Sequence, residues 1–258
     1  MSVGCSPKSA KLVSASLKMT GSASSATVVQ NDSKGFLSLL MGKAYALIPT
    51  SIQDSTGLSI SLSSAWTVVD EIEFKSSETT SAEDSEMEVE FHGPYAVDLL
   101  STAPLTLDTQ NIAVKDIRRI KMKLQAASTL PAGAPAGLLN NSIYLAGTVG
   151  GNSFVVQMDD GTEMQIGGPT AFQPAQGSDL LVEIQLANIF KQINMSTVAN
   201  GEVIDHTNRH TGANLCNSID ASATDIYTCI RKGLELRANF GVDQDNDDAL
   251  DHSDSMVK

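Results

Sequence analysis

The stretch Ile117–Leu124, IRRIKMKL, places Ile120, Met122 and Leu124 on one side of an extended chain and Arg119, Lys121 and Lys123 on the other. Successive strand side chains point to opposite faces, so this period of two predicts a strand with one buried and one wet face. Working outward, LSISL (58–62) alternates in the same way. AWTVVDEIEF (65–74) continues in strand-like composition, with Trp66 as a core anchor. MEVEFHGPYAVDLL (87–100) alternates, breaks at Gly93-Pro94 and resumes. Antiparallel sheets with one solvated side carry this signature.

Beyond residue 125 the pattern changes. LPAGAPAG (130–137) reads as a linker or long connection. In FVVQMDDGTEMQI, Asp160-Gly161 lies between 154–158 and 163–166, which predicts a hairpin. LLVEIQLANIF (180–190) begins as a strand and ends in a helical turn. TDIYTCIRKGLELRAN (224–239) sets Ile226, Ile230, Leu234 and Leu236 near helical spacing, with Gly233 weakening the pattern. No repeat of solenoid or propeller length is visible. Many short strands and one late helix predict a mainly β fold, an antiparallel β-sandwich, Ig-like or related, with a short C-terminal helix. The expected organisation is an N-terminal tether or arm at 1–35, rich in Ser, Lys and Ala, then a β-sandwich domain at 36–200. A disulfide-containing helical segment with an acidic loop follows at 201–258.

The chain has 258 residues, enough for a substantial core, and a net charge of -13 that argues against nucleic acid or an anionic membrane as partner. Such a charge is compatible with binding cations. No run reaches the length of a membrane span. The longest apolar stretch, FLSLLMGKAYALIP (36–49), is interrupted by Lys43 and reads as a buried helix or strand, or as a targeting segment.

Three cysteines are present. Cys216 and Cys229 could bridge, which would contribute roughly 3 kcal/mol through chain entropy. Cys5, in MSVGCSPKS, resembles the residue that a lipoprotein signal peptidase leaves at a mature N-terminus, although Ser2 stands where such motifs usually carry Leu. One lipidated Cys plus one disulfide accounts for all three in an oxidising compartment, and three reduced thiols is the alternative.

WTVVDEIEF, FHGPYAVDLL and DIRRIKMKLQAA follow one another at a spacing similar to that of a bacterial family of unknown function. Its members are mostly surface lipoproteins with a β-sandwich core. The resemblance covers about residues 59–127 and rests on strand patterns and VDLL. It implies a non-enzymatic protein of the cell envelope, at the outer surface or in the periplasm, held to the membrane only through a lipid anchor.

FGVDQDNDDALDHSDSMVK (240–258) carries the densest chemical signal. Asp243, Asp245, Asp247, Asp251 and Asp254 fall at the first, third, fifth, ninth and twelfth places of a window, with the Ala249 carbonyl at the seventh and Leu250 at the eighth. Calcium is a hard cation that takes oxygen ligands in this register, and the segment resembles the loops of EF-hands, dockerins and thrombospondin type 3 repeats. Two departures predict weak affinity, in the range of about 10⁻⁴ to 10⁻³ M. Asp248 stands at the sixth place, where glycine makes the turn, and must adopt a left-handed conformation. The twelfth residue is Asp, shorter than the usual Glu. With few residues after the window, no exit helix is expected. The alternative is a disordered acidic tail.

Other candidates carry less. Residues 71–90 hold eight acids against one lysine without regular oxygen spacing, which reads as a solvated hairpin loop. His206 and His210 could join Cys216 at zinc, unless Cys216 is bridged. His92 precedes a turn and reads as structural. No serine elbow, Cys–His pair or credible carboxylate pair is apparent, and GTVGGNSF lacks the spacing and lysine of a phosphate loop. The sequence therefore predicts no catalytic residues and no enzyme. The expected function is that of a surface β-sandwich protein with a calcium loop in a structural or adhesive role. Other surface proteins or further copies of the chain are possible partners. A subunit of an extracellular assembly or filament, and a carbohydrate-binding module, are the alternatives.

Overall fold

A computed structural model describes residues 11–22, 51–76, 88–216, 223–245, 248, 250 and 254–257. Among them the chain runs β1 (Leu12–Ser22), β2 (Ser51–Gln53), β3 (Ser59–Lys75), β4 (Glu88–Asp98), β5 (Leu105–Ala113) and β6 (Ile117–Leu124). After a short 3-10 turn at Ala136–Leu138 come β7 (Ile143–Val149), β8 (Asn152–Met158), β9 (Glu163–Phe172) and β10 (Ser178–Gln185). Helix α1 (Leu186–Phe190), β11 (Glu202–Ile204), α2 (Ile226–Leu236), β12 (Ala238–Asp243) and β13 (Ser255–Met256) complete it.

These strands form two sheets around a shared core, a sandwich-like arrangement. One runs β13-β12-β10-β1-β5 and the other β11-β8-β7-β3-β6-β9. The 17-residue β3 organises the larger sheet. Ile60–Thr67 pairs with β7 and Val69–Lys75 with β6, successively along one edge, while β2 and β4 share the other. Register shifts near Leu62/Ser64 and Val69/Glu71 let one strand serve both halves. LSISL and AWTVVDEIEF are thus one element.

Alternation places the core. Val13, Ala15, Leu17 and Met19 of β1 and Ile120, Met122 and Leu124 of β6 are buried on the inner faces. Phe74 of β3 stacks on Phe240 of β12 with centroids 5.0 Å apart, and Phe172 of β9 meets Phe240 at 5.1 Å. Phe91 of β4 lies 5.2 Å from Phe74, so an aromatic cluster joins the two sheets.

Several expectations are corrected. The sheets are mixed, because β1 pairs β10 and β11 pairs β8 in parallel. Alternation reports which face is buried and is silent on neighbour direction. The expected tether holds β1, which lies between β10 and β5 with Leu17 and Met19 fully buried. Strand β4 is a single element, and its register against β3 shifts at Gly93-Pro94, where the alternation breaks. Residues 130–137 connect β6 to β7 within the same body. Trp66 is half-buried outside the main core, in a small cluster with Val68, Ala127, Leu138 and Tyr144. The Asp160-Gly161 hairpin does not exist: β8 pairs with β7 and β11, and β9 pairs with β6. The two-residue hairpin is Gly150-Gly151 between β7 and β8, with φ of 54° and 93°, a conformation glycine adopts without strain.

The late helix forms as expected. Asp225 caps α2 by accepting the Thr228 N–H at 2.7 Å. Gly233, a poor helix former, packs against α1; a Cβ there would come within 2.8 Å of Ile189. Cys5 and residues 36–49 lie outside the described residues.

Candidate metal centre

Strand β12 runs antiparallel to β10 and ends at Asp243, which is 3% exposed. Strand β13 returns beside it, with Gly241 opposite Met256 and Val242 opposite Ser255. The acidic window therefore connects two paired strands. The expected helix, α2, ends at Leu236, and β12 intervenes between it and the acidic window.

Within the connection, carboxylate oxygens of Asp243, Asp245 and Asp254 lie within 4.8 Å of one another. Asp248 has φ of 65°, the left-handed conformation its place requires, and its N–H donates to Asp243 Oδ2 at 3.0 Å. The Gln244 N–H donates to Asp254 Oδ1 at 2.8 Å. Leu250 is buried, as expected of the eighth position. Asp247, Ala249 and Asp251 lie outside the described residues. Like charges packed this closely repel, and the oxygen-only donor set fits a hard cation.

Lys18 ties the loop to the sheet, binding Asp179 at 2.7 Å and Asp248 at 3.1 Å. Burial disfavours its ammonium, but hydrogen bonds and charge from the two aspartates outweigh that and raise its pKa.

No family model matches the chain, and no curated protein or solved structure matches it.

Beside the loop, Glu183 of β10 is 6% exposed. Burial raises its carboxyl above the usual range, aided by the charge of Asp254 and opposed by hydrogen bonds from Asn239, Ser22 and Gln185. A raised carboxyl holds its proton more tightly folded than unfolded. Below the ordinary Glu range the group is neutral in both states and costs nothing. Stability is lost as pH climbs from the unfolded value of about 4.3 through the folded one, and it stays lost above. Glu183→Gln is therefore expected to melt higher than wild type at neutral pH and to lose that advantage in acid. Melts at the two pH values check this, and an equal gain at both would contradict it.

The remaining candidates separate. Glu71, Glu90 and His92 form a second cluster across β3 and β4. There, Lys123 pairs with Glu71 and also reaches Glu73 at 3.1 Å, so lysines already neutralise the strand carboxylates. Burial opposes ionisation of Glu73, yet bonds from Lys75 and Lys123 and the charge of Lys121 lower its pKa. Residues 77–87 of the acid-rich stretch lie outside the described residues. Cys216 and Cys229 are bridged, with Cα atoms 5.6 Å apart, so the Cys216 thiolate is not there to join His206 and His210 at zinc. His206 pairs with Asp159 at 3.1 Å and His210 with Glu202 at 2.7 Å, on separate partners. Disulfides persist in oxidising compartments, so the bridge suggests a non-cytoplasmic protein. Among the described residues no helix is long and apolar enough to cross a membrane.

Proposed function

We propose that this chain is a cell-envelope or surface β-sandwich protein, lipid-anchored through Cys5, whose acidic loop binds calcium in a structural or adhesive role. The observation carrying the calcium reading is the convergence of Asp243, Asp245 and Asp254 in a loop where Asp248 already holds the required left-handed turn. Asp247 and Asp251, with the Ala249 carbonyl, would complete an oxygen set of the size calcium takes. The cation cancels the repulsion among these aspartates. Because β12 and β13 flank the loop, binding would pin the hairpin to the five-stranded sheet. The lipid anchor rests on the Gly4-Cys5-Ser6 context and on the resemblance of residues 59–127 to surface lipoproteins.

Calorimetry and thermal melting with calcium test the reading. At a concentration 100-fold above Kd, binding to the folded state alone stabilises by about 2.7 kcal/mol. A saturable heat and a rise in Tm are expected for wild type, with both lost in Asp243→Asn/Asp245→Asn. No response up to millimolar calcium would leave the segment an acidic hairpin without a ligand.

A further inference from the structure

Thr197 and His210, on loops between α1 and α2, meet Glu202 at the start of β11. Thr197 Oγ1 lies 2.9 Å from His210 Nε2, and His210 Nδ1 lies 2.7 Å from Glu202 Oε1. This is the order hydroxyl, imidazole, carboxylate, each within hydrogen-bond reach of the next. The hydroxyl end is exposed, whereas His210 and Glu202 side chains are 13% and 14% exposed.

Each member is held from a different direction. Thr197 sits in a turn closed by the Val198 N–H on the Met195 carbonyl at 3.1 Å. That turn is anchored by Asp54 Oδ2, which accepts the Met195 N–H at 2.9 Å, and by Asn152 Nδ2 donating to the Val198 carbonyl at 3.1 Å. Glu202 Oε2 accepts the Ala199 N–H at 2.8 Å. His210 has φ of 49°, a left-handed conformation uncommon outside glycine, and its carbonyl accepts the Ile226 N–H of α2 at 3.1 Å. Non-glycine residues in that region cost of order 1–3 kcal/mol and cluster at functional sites. His210 holds this conformation with its imidazole on Thr197, and the disulfide ties Cys216 to α2.

We propose that Thr197, His210 and Glu202 form a nucleophile–base–orienter unit that hydrolyses small activated carboxylic esters. The carboxylate at Nδ1 keeps the proton on that nitrogen, leaving Nε2 to accept. Thr197 Oγ1 attacks the ester carbonyl carbon and passes its proton to His210 Nε2. The new C–O bond forms a tetrahedral oxyanion. The Thr197 N–H, for which no acceptor is found among the described residues, donates to it. The bond to the leaving alcohol breaks and His210 returns the proton to that oxygen. Water then attacks the acyl-threonine with His210 again as base, releasing the acid and restoring Thr197. No oxidant, reductant or metal is needed. Thr197 and His210 are the catalytic residues and Glu202 a positioning residue. The activity is independent of the calcium reading.

The test uses the full chain with p-nitrophenyl acetate in the presence of a chelator, following nitrophenol release, intact mass and the acylated peptide. Acetylation at Thr197 is expected. Thr197→Val should remove the adduct, Thr197→Ser should keep it, and His210→Gln should slow acylation by roughly 10²-fold or more. Glu202→Gln should slow acylation and also abolish the far-downfield proton resonance of the His210 Nδ1–H, which a merely structural loss elsewhere would leave in place. Thr197→Val changes an exposed side chain, so an unchanged melt certifies its fold. Release no faster than buffer, adducts on lysines alone, or equal rates for wild type and Thr197→Val would each overturn the proposal.

Discussion

Phe240→Ala is expected to lower the unfolding free energy by about 3–5 kcal/mol. Phe240 is fully buried on β12 and touches Phe74 and Phe172, which belong to the opposite sheet. Truncation removes apolar surface and leaves a void that two strands from different sheets cannot both move to fill. The loss should couple to Phe74. In a double-mutant cycle, Phe74→Ala with Phe240→Ala should depart from additivity by more than about 0.5 kcal/mol. Urea unfolding at fixed calcium measures both. A loss below about 1 kcal/mol would mean that the sheets are joined elsewhere.

Replacing both bridged cysteines, Cys216→Ala/Cys229→Ala, should cost about 3 kcal/mol, the loop-closure entropy for a sequence separation of 13. Cys229 is fully buried on α2 and Cys216 is 8% exposed beside it, so alanine leaves no polar atom stranded in the core. Because the bridge tethers the segment after His210 to α2, the double variant should also acylate more slowly if the proposed ester chemistry holds. The control is a reductant, which should destabilise wild type to the level of the variant and leave the variant unmoved. A wild type indifferent to reductant under unfolding conditions would show that the bridge contributes nothing in solution.

Face was legible in the sequence and neighbourhood was not. The alternation foretold the burial of Ile120, Met122 and Leu124 on β6, because burial follows from a period of two along one strand, but Arg119, expected on the wet face, is only 2% exposed. Pairing depends on contacts far apart in sequence. Asp160-Gly161 has the composition of a tight turn, yet β8 and β9 take different partners, while the Gly150-Gly151 hairpin lay inside a segment weighed only as a phosphate loop. Trp66 looked like an anchor by type, but its place on β3 points it away from the main core. In the acidic loop, the left-handed Asp248 and buried Leu250 followed from oxygen register, a local property. Thr197 and Glu202 left no trace, and His210 was weighed only as a zinc ligand, since their spacing obeys no period and chain closure alone brings the three together.

The place of β1 in its sheet has a consequence for how the protein comes into being. Ser14 is hydrogen-bonded to Gln176, 162 positions later, and β12 and β13 join the same sheet later still. Until those segments have been synthesised, β1 has, among the described residues, only β5 to pair with, and its other edge stays open. Contacts so distant in sequence must absorb a large loop-closure entropy before any packing rewards them, which places the chain among the slow folders. The five-stranded sheet thus cannot close until residues beyond 176 have been made. An unpaired strand edge of that kind is a template for pairing with the wrong chain for as long as it lasts.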